Sequence, residues 1–490
     1  MKQIKNNKIE TNKLIIVAYL FTSILLAVPS VIYLIKNKTI YHFTQVFNYT
    51  FVKPQVISDR YINAILYISL FFILFFLYFA ILKNVNKIFK TRKCMLIFIA
   101  IVGIIFSIII PTTSLDVYSY IGNGWVDSNY QENPYYTSVQ EIWNQNGPDE
   151  MLGKVARCWR NEPVVYGPVW SIICKTLTSL SFGNITIALY IFKLASFLIF
   201  LGSCIVIYKV TNKKFFVALF ALNPYILFEF LSNVHNDIFL VFFVLLAIYF
   251  VKRKENIALS VACIAIATGI KYLSILLLPF ILIYALRKES IKQKIIKTIF
   301  YFIEFILIIL AFYMLYIRDL QVLSGIFVQQ NKYGRSIFLA LWYFLNGDEQ
   351  ALRLIKTISL IIFAISYLTI VLKLFFKTDY KNIKLRKVIK TYQVFLLIFT
   401  FLLITNFNPW YVIWLFPTLF WQNSTHIKNT LYLSIGAISS YTITYATGID
   451  NETVGIPYLI IMIIIPLILY SKDIQIKKDK VKVIAKRGNI

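Results

Sequence analysis

Long apolar runs decide what this chain can fold into. A helix needs about 20 apolar residues to cross a bilayer, and such runs recur along most of the 490 residues. Hydropathy places spans near 13–35, 61–82, 94–111, 186–209, 214–231, 236–252, 257–270, 272–286, 296–317, 352–376, 388–405, 409–421, 428–447 and 455–471. Several are short, so the expectation is an all-α polytopic membrane protein with about 12–14 transmembrane helices. A 59% hydrophobic composition and a mean hydropathy of +0.71 lie outside the soluble globular range. Continuous apolar runs with little alternation argue against an outer-membrane β-barrel.

The net charge of +28 would suit nucleic acid, but its placement does not. Basic clusters at 83–93, 252–254, 287–297, 377–390 and 472–487 fall between apolar runs. That is the pattern of cytoplasmic loops facing an anionic leaflet, so the partner of the charge is the lipid bilayer and no nucleic acid is expected. With both termini inside, the segment 112–165 lies outside. It holds seven acidic residues against three basic ones, which agrees with that orientation. The segment 36–60, with Lys36, Lys38, Lys53 and Arg60, is discordant.

The stretch "VVYGPVWSIICKTLTSLSF" (164–182) is apolar but carries Lys175 and many hydroxyls. It reads as a re-entrant or interfacial helix that closes the large outer loop onto the membrane. The organisation expected is an N-terminal hairpin with a basic loop (1–93), a membrane catalytic domain (94–471) including the outer loop 112–165, and a basic tail (472–490). The first apolar run is longer than a signal-peptide core and reads as an uncleaved span. Five cysteines show no metal-ligating spacing, and Cys158–Cys174 is the one bridge left open.

Ionisable residues in or beside apolar spans carry the functional signal, because an ionised group at the bilayer centre costs about 2.5–3.5 kcal/mol. Asp116 opens the outer loop in "SLDVYSYIGNGW"; it is a helix cap, a solvated loop acid or a general base. His235, Asn236 and Asp237 form "VHND" at the outer end of two spans, either a polar helix start or part of a site. Lys271 in "GIKY" sits at an outer turn, where a phosphate ligand is favoured over snorkelling. Lys332 and Arg335 lie in "NKYGRS", and "TNFNPWYVIW" supplies Asn408, Trp410 and Tyr411. Tyr118 and Tyr120 serve either an interfacial aromatic belt or sugar stacking. On the proposed topology all five places share the outer face. Glu229 and Glu304 sit within spans and receive no role.

No Walker A loop, GxGxxG, HExxH or Asp-x-Asp pair is present. A nucleotide-fuelled reaction is therefore disfavoured, and an outer-face enzyme must take an activated donor already in the membrane. "SLDVYSYIGNGW", "NPYY", "VYGPVW", "NPYILFEFLSNVHND", "GIKY" with "LLLP", and "NPWYVIWLFP" resemble, in order, motifs of the GT-C multi-spanning glycosyltransferases. Within that class the likeness is to the bacterial polyprenol-phosphate-mannose-dependent α-mannosyltransferases, over about residues 94–420.

The resemblance implies that Asp116 deprotonates an acceptor hydroxyl, which displaces the polyprenyl phosphate with inversion. It implies a donor-phosphate site at Lys271, joined here by Arg335. The substrate cavity would be formed by Tyr118, Tyr120, Tyr166, His235, Asn236, Asp237, Tyr272, Asn408, Trp410 and Tyr411. The scheme needs one base and one cation, requires no cofactor, and assigns no metal ligands, though it is compatible with a divalent metal. Two spans precede the one delivering Asp116, against one in many members of the class, and no second acid adjoins it, which disfavours transfer to protein. The expected function is transfer of a hexose such as mannose from a polyprenyl-phosphate donor to an envelope glycan or glycolipid, at the extracytoplasmic face of the cell membrane. The enzyme rival is a glycosyltransferase or ligase with another lipid-linked donor. The non-enzyme rival is a transporter or flippase of lipid-linked saccharide, which calls for charges deep along a path and internal repeats; neither pattern is found.

Overall fold

The computed structural model describes residues 2–37, 57–325, 332–376, 383–422, 424–447 and 455–472. Residues 450–452 and the tail 473–490 lie outside the described residues, as do most of 36–60 and part of 377–390. The described chain is helical, and its one strand-like feature is an isolated parallel bridge between Gly334 and Asn406. It is a multi-pass α-helical membrane protein.

Five helical segments are long and apolar enough to cross a bilayer: Glu10–Ile35, Tyr61–Ile88, Ile185–Thr211, Ile291–Tyr313 and Glu349–Phe376. The pair Lys214–Ala221 and Pro224–Ser232, bent by 52°, makes a sixth if taken as one span. The other apolar runs fold as shorter or interrupted helices. The cause is local. Asn223-Pro224 cannot continue a helix, because proline lacks the N–H and restricts the residue before it. The run 236–252 is helical over Asp237–Tyr249 and then widens into a π turn. At 272–277 and 409–415 the backbone is 3-10 rather than α. Composition reports apolarity; it does not report these breaks.

The long helices Ile291–Tyr313 and Glu349–Phe376 keep almost all their apolar surface outside the protein core, as lipid-facing helices do. The bent and interrupted segments are buried instead: Phe220, Tyr225, Phe230, Ile264 and Leu415 are fully enclosed.

The segment 112–165 is more than a loop. It contains helices Asp116–Ser128 and Val139–Asn146 and two single turns. Val126, Val139, Ile142, Leu152 and Val155 give it a small core of its own. Ser138 and Glu141 close a capping box on the second helix. The helix Pro168–Ser179 has 12 residues, too few to span, and packs closely on Asp116–Ser128. A methyl group on Gly124 would stand 2.5 Å from the Cys174 carbonyl oxygen and 2.5 Å from Thr178 Oγ1, so only glycine permits this approach. Cys174 is a free, buried thiol, so the Cys158–Cys174 bridge is not formed.

One buried cation ties the site-bearing segments together. Lys193, inside the Ile185–Thr211 helix and 1% exposed, donates to the carbonyls of Ile109 (2.7 Å), Leu231 (3.1 Å) and Ser232 (2.7 Å). Those carbonyls end two helices, where backbone acceptors lack intrahelical partners and the dipole favours a cation. Ser232 Oγ adds a bond to the Phe106 carbonyl at 2.9 Å. Lys193→Met would strand three carbonyls, each worth about 1–3 kcal/mol when buried and unpaired. The melting temperature in detergent is expected to fall by about 10 °C; an unchanged value would contradict this account.

Candidate active site

The site assembles where broken helices end. Asp116 is the first residue of its helix, not its cap: Leu115 holds the cap position with no side-chain bond. The Asp116 carboxylate is 15% exposed and turns toward His235, with Oδ2 3.5 Å from Nδ1. The other ring nitrogen, Nε2, is 3.4 Å from Glu229 Oε2. Both separations are longer than a formed hydrogen bond, as is common in sites that tighten on substrate. The imidazole is fully buried and stacks on Trp410 with ring centres 3.7 Å apart and planes at 16°. Burial alone would lower the His235 pKa, but the flanking Asp116 and Glu229 carboxylates outweigh it and raise it above the usual 6.5.

Glu229 is enclosed within a π-helical turn, Phe228–Ser232. Asn233 Nδ2 donates to Glu229 Oε2 (3.1 Å) and to Thr113 Oγ1 (2.7 Å), and the Thr112 amide donates to Asn233 Oδ1 (3.3 Å). The segment entering Asp116 is thereby fastened to the segment bearing Glu229. Val234 has φ +62°, a left-handed conformation that a β-branched residue adopts only under constraint. It turns the chain so that His235 reaches both acids.

A second charged pair stands beside the first. Asp237 begins the next helix, and its Oδ1 accepts from Lys271 Nζ (2.7 Å) and Trp414 Nε1 (2.5 Å). The Lys271 ammonium lies 4.6 Å from the Tyr411 ring centre, 5.2 Å from Trp414 and 6.0 Å from Tyr166. Arg335 is buried; its Nη1 donates to Asn408 Oδ1 at 3.1 Å, and Asn408 Nδ2 donates to the Tyr411 hydroxyl at 3.3 Å. The bridge between Gly334 and Asn406 brings Arg335 to this place, with Ser336 Oγ donating to the Thr405 carbonyl.

The two glycines of "YGP" and "TGIKY" explain how the chain after the segment 112–165 reaches Lys271. A methyl on Gly167 would lie 2.4 Å from the Gly269 carbonyl oxygen, and the Gly167 amide donates to Ile270 at 3.4 Å. Tyr166 is carried over the site in this way, and its hydroxyl meets that of Tyr120 at 3.5 Å.

Most of the expected residues are therefore joined by direct contacts: Asp116, His235, Asp237, Lys271, Arg335, Asn408, Trp410, Tyr411, Tyr166 and Tyr120. Tyr272 joins the set at its edge, its hydroxyl donating to the Tyr166 carbonyl at 3.3 Å and lying 2.7 Å from that of Tyr313. One differs: Tyr118, two residues after Asp116, points to the opposite side of its helix and is buried beside Tyr33 and Tyr190. Asn236 is fully buried, and neither side-chain polar atom has a hydrogen-bond partner among the described residues. Lys332 pairs with Glu162 at 3.6 Å and covers Trp159 at 4.0 Å. Among the described residues no group of three His, Cys, Asp or Glu is arranged to hold a metal. Glu229, Asn233 and Trp414 went unassigned from sequence; a lone acid inside an apolar run was the available signal for the first.

Fold and site together define a polytopic membrane protein with a buried acid–histidine cluster beside an aromatic-walled cation. The family profile described as alpha-(1->6)-mannopyranosyltransferase, N-terminal domain, matches residues 20–287, more than half of the chain. The chain belongs to this family. It is 25% identical over 179 residues to the alpha-(1->6)-mannopyranosyltransferase A of Corynebacterium glutamicum, covering 35% of this chain and 34% of that protein. It is 23% identical over 177 residues to the protein of the same name from Mycobacterium tuberculosis, covering 35% and 33%. The matched region thus spans about a third of the curated relatives' length. No solved structure matches the chain.

Replacing Gly167 by alanine tests the loop contact. The added methyl meets backbone rather than a flexible side chain, so overpacking of about 1–3 kcal/mol is expected. It is read as a lowered melting temperature, and a wild-type value would contradict the close approach.

Proposed function

We propose that the protein is a membrane glycosyltransferase that moves a hexose, with mannose favoured by its family, from a polyprenyl-phosphate donor to a glycan or glycolipid acceptor. The observation that carries this reading is the pairing of Asp116 with His235 beside the Lys271–Asp237 pair. It offers a base and a cation side by side in a largely water-excluded place, which is where fixed charges act most strongly.

In the proposed reaction Asp116 takes the proton of an acceptor hydroxyl. The hydroxyl oxygen forms a bond to the anomeric carbon as the carbon–phosphate oxygen bond breaks, and the lipid phosphate leaves with the electron pair. A single displacement inverts the anomeric centre. Lys271 faces the leaving phosphate; because Asp237 already offsets part of its charge, Arg335, bonded to neutral Asn408, supplies the uncompensated positive charge. Trp410, Tyr411 and Tyr166 give the sugar flat apolar faces, and the unpaired Asn236 amide suits a sugar hydroxyl. The position of the basic clusters, between the other apolar runs and away from these residues, supports an extracytoplasmic site and an acceptor of the envelope. The flippase reading has less support, since Asp116, Asp237 and Lys271 gather where helices begin or end rather than along a path through the spans.

Two variants assayed with polyprenyl-phosphate-mannose and simple mannoside acceptors test the roles. Asp116→Asn is expected to lower kcat by about 10²–10⁴-fold with donor binding retained. Lys271→Gln is expected to raise the donor KM about tenfold or more. Full activity in Asp116→Asn would remove the base assignment, and an unchanged donor KM in Lys271→Gln would remove the phosphate assignment.

A further inference from the structure

We propose that Glu229 is a positioning residue that keeps His235 in its doubly protonated form, and through that imidazolium holds Asp116 ionised and aimed at the acceptor. The proposal rests on the reading of Asp116 as the base, but it concerns an acid that neither the family assignment nor that reading requires.

The count of donors and acceptors at His235 decides its protonation. A neutral imidazole has one N–H and one lone pair; only the cation has two donors. Both ring nitrogens of His235 face carboxylate oxygens, at 3.5 Å and 3.4 Å. With a neutral ring, one of the two contacts sets lone pair against lone pair. The imidazolium satisfies both. The surroundings fix the ring for this purpose: Trp410 stacks on its face, and the His235 amide donates to the Glu229 carbonyl at 3.2 Å.

Burial assigns different tasks to the two acids. Asp116 keeps partial exposure, whereas Glu229 is sealed off. An unpaired carboxylate enclosed at that depth is costly, so Glu229 and the imidazolium stabilise each other. The other titratable groups facing Glu229 are the hydroxyls of Tyr225 and Tyr441, the latter also under the influence of Arg335. In the resting site two carboxylates and one imidazolium sum to −1. When Asp116 accepts the acceptor proton the sum becomes zero, and the His235–Glu229 pair stays balanced. The π turn has a use here, because its wider winding sets Glu229 beside the ring that follows six residues later. The strained Val234 backbone is a second sign that this placement is imposed on the chain.

The chain has three histidines, His42, His235 and His426. In a His42→Gln/His426→Gln background the ring nitrogens of His235 are read by 15N NMR, in nanodiscs and without substrate. The wild-type ring is expected to be an imidazolium at pH 7. In Glu229→Gln, which keeps the shape and removes the charge, it is expected to be neutral at pH 7. In Glu229→Asp the charge is expected to be restored. A neutral wild-type ring, which would mean that Glu229 itself holds the proton, overturns the proposal. So does an imidazolium that persists unchanged in Glu229→Gln.

The kinetic arm uses the transfer assay. Activity that depends on the imidazolium falls as pH rises through its pKa. Glu229→Gln is therefore expected to lose about tenfold in kcat at pH 7, with donor KM little changed. Its alkaline limb should move down by about one pH unit or more, with activity partly recovered at lower pH. A loss equal at every pH would mark a merely structural role. Should the wild type transfer no sugar, the reaction reading fails, while the NMR result still decides the proton's place.

Discussion

A charge in a low-dielectric interior has to be paired or surrounded by dipoles, and this requirement shapes the whole centre of the protein. Lys193 shows it in plain form. Its ammonium lies deep inside a membrane-crossing helix and is satisfied by three backbone carbonyls at the ends of two other elements. Helix ends are the one place in such an interior where free carbonyls are plentiful. A buried lysine therefore gathers helix ends, and the segments that leave those ends lead to Asp116 and His235. The same rule then applies to the acids: Glu229 meets His235, and Asp237 meets Lys271.

The broken helices follow from this. A continuous span buries its backbone polar groups in its own ladder and has none to offer. Interrupting the spans at Asn223-Pro224, at Val234, at Lys271 and at Pro409 releases backbone and lets polar side chains enter at membrane depth without facing lipid. The long helices Ile291–Tyr313 and Glu349–Phe376 stay at the periphery and face the hydrocarbon. The helix Pro168–Ser179 packs on Asp116–Ser128, and the Gly167–Gly269 approach brings Tyr166 within cation–π distance of Lys271.

How much of this was legible beforehand depends on the length over which a signal accumulates. Each long span sums twenty or so apolar residues, so hydropathy located it within a few positions. Asp116, His235, Asp237 and Lys271 were visible as charges out of place in apolar surroundings, because few other ionisable residues compete with them there. Breaks turn on one or two residues and were not legible: the 409–421 run was expected to span and instead winds as a 3-10 turn around Trp410 and Trp414. The helices of the segment 112–165 lack apolar runs and are not legible from hydropathy, although the Ser138–Glu141 box announces one of them. Tyr118 reads from sequence as a belt or sugar-stacking aromatic, and helical geometry sends it to the face opposite Asp116. Lys193 and Glu229 stood in apolar runs as lone charges, but only tertiary contacts say what each one meets.

The central claim is that one base and one cation, held at gathered helix ends, carry out a single displacement on a lipid-phosphate sugar. The most direct measurement is the anomeric configuration of the product, by NMR, after the purified protein in nanodiscs has been given polyprenyl-phosphate-mannose of defined configuration and a mannoside acceptor. The account predicts a new glycosidic bond with the configuration inverted relative to the donor. A product that retains the donor configuration, or no transfer at all, would contradict it.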